Sequence, residues 1–530
     1  MKRSLILGFI SLVLFSAHLA FTAPQGVPKH IIFKGLNTKA GPLSLDDGES
    51  PDCLNVHTNI FGTLIKRLGY DKLNDAHTHV TTSPGKVNGL FDYAIDSGTR
   101  KLIGYFDNEL YKMDGLDGAF DPLQVVGVAP SNNIAEFANF EGTLLFNTWS
   151  RDGIRYWNGS TSTYDHVQVT PVGKHIVVAY NRVFLGDIVI SGTTYELRFY
   201  YTDAGTYATM GTNSYETLDA PAGDRLMGFG LLRGRLFGFA KYAVNLISDV
   251  GGSDPIEVNK RLAGTGCGAP RTIKTIVSPI MGESLIWLTN DKRLVMYNGS
   301  TLIDVSERVY TNNNQSPFAM SLINTGALEK SHAVVDEAKG WYRLFVPISS
   351  SVDYELVYDY KTNTLWPMSN QNFESSAVVE TTTGNFVYCG DRTGGVFLLD
   401  STNADDGSNI NGYWTSRKWD FGFAPYLKKM GEVQIVTKTI GNYDLNYQYR
   451  YNWDTSWTTA EALVMTSGGQ WLLGDNLPAT LGGRQAQTHR LTIPSAFNLF
   501  QIKVSNNTSN PSFEVYGLQI ISTNLGSVGE

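Results

Sequence analysis

The sequence predicts an all-β protein: β-propeller-like repeats followed by a C-terminal β-sandwich. Three observations carry that prediction. Apolar-aromatic runs of four to eight residues recur along the chain, each bounded by Gly, Asn or Asp, and almost no stretch keeps the periodicity of an amphipathic helix. The runs return at an irregular interval: Leu145, Phe184, Phe237, Ile286, Phe345 and Val387 stand 39, 53, 49, 59 and 42 residues apart. Four-stranded propeller blades with loop insertions produce such spacing. Towards the C-terminus the texture becomes strict alternation, as in Asp444–Tyr451 and Leu499–Val504, which buries one face of a sheet and wets the other.

Taken in order, residues 1–22 form a signal-like apolar segment. Lys2-Arg3 precede an apolar run from Leu5 to about Ala20, and small residues, Ala20 and Thr22, flank a possible cut. Residues 23–86 read as an extended N-terminal segment. The propeller is expected over 87–400, with visible strands such as Leu102–Phe106, Arg182–Leu185, Ser284–Leu288 and Tyr342–Val346. A second element repeats with them: Leu110–Gly115, Ile154–Thr161 and Leu294–Thr301 each end a strand in an aromatic residue or Met and then Asp/Asn-Gly, the signature of a tight hairpin turn. Blades that close radially bury both sheet faces, which accounts for strands without a polar side. Residues 401–412 are a polar linker, and 413–530 form the sandwich.

Composition narrows the function. Of 530 residues, 53 are Gly, 27 Tyr and 26 Phe, too much ring surface for a disordered polymer. The net charge of −8 disfavours a protein that grips nucleic-acid phosphates over its whole surface. Cys53, Cys267 and Cys389 are far apart and read as buried free thiols. No Walker lysine loop, His-Glu-x-x-His, CxxC or Gly-x-Ser-x-Gly occurs. His77 and His79 lack a third metal ligand. Ser150-Arg-Asp152-Gly153 is a single, imperfect copy of a sialidase-type turn. Asp46-Asp47-Gly48 and Asp405-Asp406-Gly407 read as polar turns. Asn158-Gly-Ser160 and Asn298-Gly-Ser300 match glycan acceptors but are already explained as turns. The expectation is a non-enzymatic protein with no catalytic residues, cofactor or metal.

Several stretches resemble tailed-bacteriophage β-propeller tail tube or nozzle proteins of the tubular-protein-B type. They are Gly35-Leu36-Asn37, Pro42–Leu45, Pro51-Asp52-Cys53-Leu54-Asn55-Val56, and Gly62 to Tyr70 with Arg67 and Gly69. Further on come Gly264–Ile273, Leu356–Tyr360 with Leu365-Trp366-Pro367, Tyr388–Val396, and Trp414–Gly422 before Lys428-Lys429. Together they cover roughly Gly35 to Lys438 in the expected order. The resemblance implies a homo-oligomeric ring in the virion tail, docked to portal or adaptor proteins and to tail fibres. Double-stranded DNA would pass transiently through its lumen, with no small-molecule substrate. An acidic balance suits a channel that must release DNA, because a basic wall would hold phosphates. Asn55, Arg67 and Gly69 are expected to order the N-terminal segment. Trp419, Asp420, Phe421 and Lys429 are expected at the joint between propeller and sandwich, with ordinary intrachain packing as the alternative for each. The signal-like start keeps a secreted or periplasmic propeller that binds glycans or protein as the second expectation, and a propeller glycosidase as the third.

Overall fold

In the computed structural model the described residues are 29–73, 85–95, 100–114, 119–168, 171–211, 213–381, 384–421, 427–438, 443–465, 486–491, 493, 495–509 and 512–524. The signal-like segment 1–22 and the pair His77/His79 lie outside them. No helix among the described residues is long and apolar enough to cross a membrane.

Seven four-stranded antiparallel units follow one another among the described residues. The first runs Val87–Ala94, Arg100–Phe106, Glu109–Asp114 and Phe120–Val125. The next five span 135–168, 172–217, 226–263, 274–304 and 332–368. Successive first strands pack side by side, and Phe373–Thr381 of the seventh unit returns to Val87–Ala94 of the first. The ring is therefore closed, and the fold is a β-propeller. The first two blades are also joined at their outer edges, where Thr163 and Tyr164 pair in parallel with Gln124 and Val125.

The periodic apolar residues have one structural address. Leu145, Phe184, Phe237, Ile286, Phe345 and Val387 all lie on the second strand of their blades, and none is more than 4% exposed. A second strand has strands on both sides in its sheet and a neighbouring blade against each face, so it keeps no wet side. Trp341–Pro347 is buried at every position. Ile256–Ala263, a fourth strand at the rim, stays largely exposed, whereas Thr364–Met368 of the sixth blade is buried from Leu365 onwards.

The Asn-Gly repeats join third to fourth strands. Asn158 Oδ1 accepts from Ser160 N and Thr161 N at 3.1 and 3.2 Å, and Asn298 Oδ1 from Ser300 N and Thr301 N at 3.0 and 2.9 Å. Gly159 and Gly299 take φ of 83° and 98°, a region that only glycine enters freely. Gly115 of the third copy lies outside the described residues. The Ser150–Gly153 turn braces two blades: Asp152 accepts from Thr148 Oγ1 at 2.7 Å, while Arg151 reaches Asp187 at 2.6 Å.

Two further sheets complete the molecule. One is ordered Val56–Thr58, Leu64–Lys66, Glu514–Asn524, Lys428–Lys438 and Ala486–Leu491, with Lys29–Ile31 also paired to Glu514–Asn524. The other is ordered Asp52–Leu54, Ile410–Thr415, Phe500–Thr508, Tyr443–Tyr451 and Glu461–Met465. Val433, Ile435 and Ile520 of the first share one apolar cluster with Trp414, Ile502 and Leu445 of the second. That cluster continues into the sixth blade through Leu356, Val357 and Trp366.

The chain's divisions differ here from the expected ones. Residues 29–72 are more than an extended segment, because most of their strands complete sheets built from residues 373–524. Gly69–Lys72 is the fourth strand of the seventh blade, antiparallel to Val396–Thr402. Backbone polar groups need partners; apart from Val56–Thr58, which pairs with Leu64–Lys66 in a local hairpin, these short strands find theirs far along the sequence.

Candidate functional site

Asn55, Arg67 and Gly69 converge on a buried joint. Asn55 follows Asp52–Leu54 in a left-handed turn, φ 55°, which asparagine tolerates better than most residues. Its amide donates to Ser369 Oγ and to Asn411 O, both at 2.9 Å. Its Oδ1 accepts from Ser369 N at 2.9 Å and from Arg67 Nε at 2.8 Å. Arg67 uses all five of its N–H groups. Besides Asn55 they reach Leu68 O and Ser369 O, each at 3.0 Å, and grip Asp405 Oδ1 and Oδ2 at 2.7 and 2.5 Å. The Arg67 and Asp405 side chains are 5% and 2% exposed. Such a forked pair, its remaining hydrogens satisfied, fixes geometry as well as charge.

Asp405 therefore is not the solvated turn carboxylate expected from Asp405-Asp406-Gly407. The local sequence looks like a turn because it is one, with Ser408 N donating to Asp405 O at 2.8 Å. Its burial comes from a residue 338 positions away. Gly69 has an equally close reason. A Cβ there would meet Ala404 O at 1.9 Å, and at Gly35 one would meet Leu365 O at 2.4 Å. Both glycines let the N-terminal segment lie directly on foreign backbone. Next to Arg67, Lys66 is 1% exposed and donates to Asn506 Oδ1 and Thr508 O at 2.9 Å each. Burial pulls its ammonium down to about 8, with the Arg67 charge adding to the shift.

Asp52 belongs to the same joint and carries a pH signature. Burial pushes its carboxyl up to about 6, against the Tyr413 hydroxyl that donates to Oδ1 at 2.9 Å and the charges of Lys503 and Arg450. A carboxyl raised on folding binds its proton more tightly in the folded state, so it subtracts stability as pH climbs from about 4 through 6. Asp52→Asn keeps an oxygen for Tyr413 and removes the buried charge. It should be more stable than wild type at pH 7.5, by about 1–3 kcal/mol, and the gain should vanish at pH 4. Urea midpoints at the two pH values check this.

The expected joint residues near 420 lie elsewhere. Trp419 is inside the C-terminal sheets, exchanging backbone bonds with Phe500 at 2.9 and 3.0 Å and stacking on its ring at 6.4 Å. Phe421 approaches Phe497 at 6.2 Å, Asp420 is half-buried beside them, and exposed Lys429 pairs with Thr523 and Ala496. The crossing between propeller and C-terminal sheets is made instead by residues 29–72 together with Ser369, Asp405 and Asn411. Sequence reasoning missed Ser369 and Asn411, which act through backbone and short polar groups and leave no motif.

Beside the joint lies a groove of about 540 Å³ between the Val56–Lys66 hairpin and the sixth blade. Its walls include Trp341, Val357, Met368 and Ile65. On one wall Arg343 bonds Glu355 Oε2 at 3.2 Å and Asp400 Oδ2 at 2.7 Å, and Lys339 reaches Asp400 at 2.5 Å. The hairpin tip is strongly apolar and outward: Ile60 and Phe61 are 83% and 78% exposed, and Ile32, next to Gly62, is 65% exposed. Contiguous apolar surface of this kind marks interaction sites. Cys53, Cys267 and Cys389 are buried and free. Among the described residues no group of three or more His, Cys, Asp or Glu is placed to hold a metal.

No protein-family profile matches the sequence, and no curated protein matches it. Solved structures do match. U3-55K is 11% identical, covering 59% of this chain and 95% of that one, with a TM-score of 0.39. YCF48 bound to D1 peptide is 10% identical, covering 63% and 94%, at 0.37. The extracellular domain of the one-component system BT4673 of B. thetaiotaomicron is 11% identical, covering 80% and 58%, at 0.41. At these values the likeness carries nothing about activity or partner.

Proposed function

We propose that this chain is a non-enzymatic structural subunit of a bacteriophage tail tube or nozzle, assembled as a homo-oligomeric ring around the channel through which DNA leaves. The observation that carries the reading is the joint. Gly35, Asn55, Arg67 and Gly69, all within the tail-protein-like stretches of sequence, are the residues that lock the N-terminal segment onto the propeller. That segment then presents the apolar tip of Ile60 and Phe61 beside a groove.

A ring requires one patch of a subunit to meet a different patch of the next, repeated until it closes. The tip, which also forms the rim of the groove, supplies an apolar projection for one side of that contact. Portal or adaptor proteins and tail fibres are the further partners the reading names, and the virion tail is its location. The net charge of −8 suits a wall that DNA slides past.

Mass photometry and negative-stain imaging of the full chain test the reading. Wild type should form closed rings of one size, and the double variant Ile60→Ser/Phe61→Ser should be monomeric with an unchanged thermal midpoint, since both side chains face solvent. A wild-type monomer at all concentrations up to tens of micromolar, from a gene without portal or terminase neighbours, would refute it.

A further inference from the structure

The first strands of all seven blades surround the propeller axis, and there they enclose a cavity of about 270 Å³. Its lining is mixed: Phe137, Ile176 and Phe229 are apolar, while Glu136, His332, Ser375 and Ser376 bring polar groups to it. One side is charged. Arg271, in the turn that leads into the fifth blade, and Lys274, on that blade's first strand, both line the cavity and are only partly buried.

Neither cation has a carboxylate of its own. Arg271 spends Nη1 on Glu374 O at 2.7 Å and Nη2 on Lys330 O at 2.5 Å, both backbone carbonyls, and its buried Nε has no partner. Lys274 Nζ makes no hydrogen bond or ion pair among the described residues. The nearby acid, Glu136, is already engaged: it accepts from Trp149 Nε1 at 2.8 Å and meets His175 Nδ1 at 2.9 Å. Burial lowers the pKa of Arg271 to about 10 and lowers that of Lys274 also, with mutual repulsion adding to the second. Two desolvated cations face one small space with a single carboxylate, Glu136, on its wall; the remaining positive charge is costly, and an anion in that space would relieve the cost.

A fourth group completes the wall. His332 is 4% exposed, stacks on Phe345 at 4.8 Å, and leaves Nε2 without a partner. Burial first, then Arg271, holds its pKa well below the usual imidazole range. Its ring also borders a wider basin of about 600 Å³ between the sixth and seventh blades, which carries Lys86, Lys330 and Arg392 against Asp353 and Glu374. Lys86 and Arg392 are paired to those acids at 2.6–2.9 Å, while exposed Lys330 adds net positive charge at the mouth.

We propose that the axial cavity is a binding site for a small oxyanion, a molecule or ion presenting a carboxylate or phosphate group. Arg271 and Lys274 take the charged oxygens. His332, neutral with its Nδ1–H held by the Lys330 backbone, offers Nε2 as an acceptor to a hydroxyl or protonated oxygen of the ligand. The apolar strands of the other blades cover the rest of the ligand, and the cavity's size limits it to a compact molecule.

The test is thermal-shift titration and calorimetry on the full chain, with inorganic phosphate and with malonate, against sodium chloride at matched ionic strength. Wild type should show saturable stabilisation by phosphate, malonate or both. Lys274→Met should weaken binding at least tenfold while its unliganded midpoint stays at or above the wild-type value. Arg271→Met should abolish binding. If that variant fails to fold, because Glu374 O and Lys330 O lose their donor, Lys274→Met decides alone. Arg235→Gln, on the exposed edge of the fourth blade, should bind as wild type does. No stabilisation beyond chloride, or undiminished binding by Lys274→Met, would overturn the proposal.

Discussion

Arg67→Ala should cost about 3–5 kcal/mol of stability, the largest loss expected from any side chain of the joint. The substitution removes five hydrogen bonds and leaves the Asp405 carboxylate, 2% exposed, with no cation. Asn55 loses a donor to Oδ1 in the same step. The first consequence should be local: protease cuts between the propeller and the C-terminal sheets, at urea concentrations where wild type resists. Arg67→Lys keeps the charge without the fork and should recover only part of the loss. The pair Arg67→Met/Asp405→Leu removes both charges and should recover most of it. A urea midpoint for Arg67→Ala equal to wild type would show that the joint is held by the surrounding apolar cluster alone.

Arg343→Ala should be comparably severe, about 3–5 kcal/mol. Arg343 is 4% exposed and serves Glu355, which is fully buried, and Asp400. Burial alone would raise the Asp400 carboxyl; Arg343 and then Lys339 override it and hold the group well below the usual carboxylate range. A carboxyl depressed on folding contributes stability above its unfolded value near 4 and loses it as pH falls further. Wild type should therefore weaken steadily below pH 4. In Arg343→Ala that part of the acid dependence should shrink, because Asp400, left with Lys339 alone, gains less from ionising. Urea midpoints between pH 3 and pH 7 read both effects. A variant with wild-type stability at pH 7 would sink the assignment.

How much of this was legible beforehand follows from the range of the interactions. The blades were legible because each is a local antiparallel meander whose second strand has no wet side, and the six apolar markers fall on those strands. The hairpin turns were legible because Asn158 and Asn298 bond residues two and three positions on. The marker spacing began at Leu145, so it passed over the first blade's own second strand, Arg100–Phe106. The joint was half legible. Asn55, Arg67 and Gly69 stood out as a pattern, but Asp405 was read as a polar turn because its partner is 338 residues away. For Trp419 the sequence leaves the joint and ordinary intrachain packing both open; its ring packs within the C-terminal core against Phe500. The axial cations were invisible, since Arg271 and Lys274 become neighbours of Glu136 and His332 only when seven blades close.

The strand Gly69–Lys72 precedes every blade in sequence yet completes the last of them. On a ribosome it emerges early and must wait for Val396–Thr402, roughly tens of seconds at ordinary elongation rates. Lys29–Ile31 and Leu64–Lys66 wait longer still, for Glu514–Asn524. Translation that stops before about residue 400 therefore yields an open arc of blades with an unlatched leading end, and the nascent chain depends on its last quarter to protect the strands between residues 29 and 72.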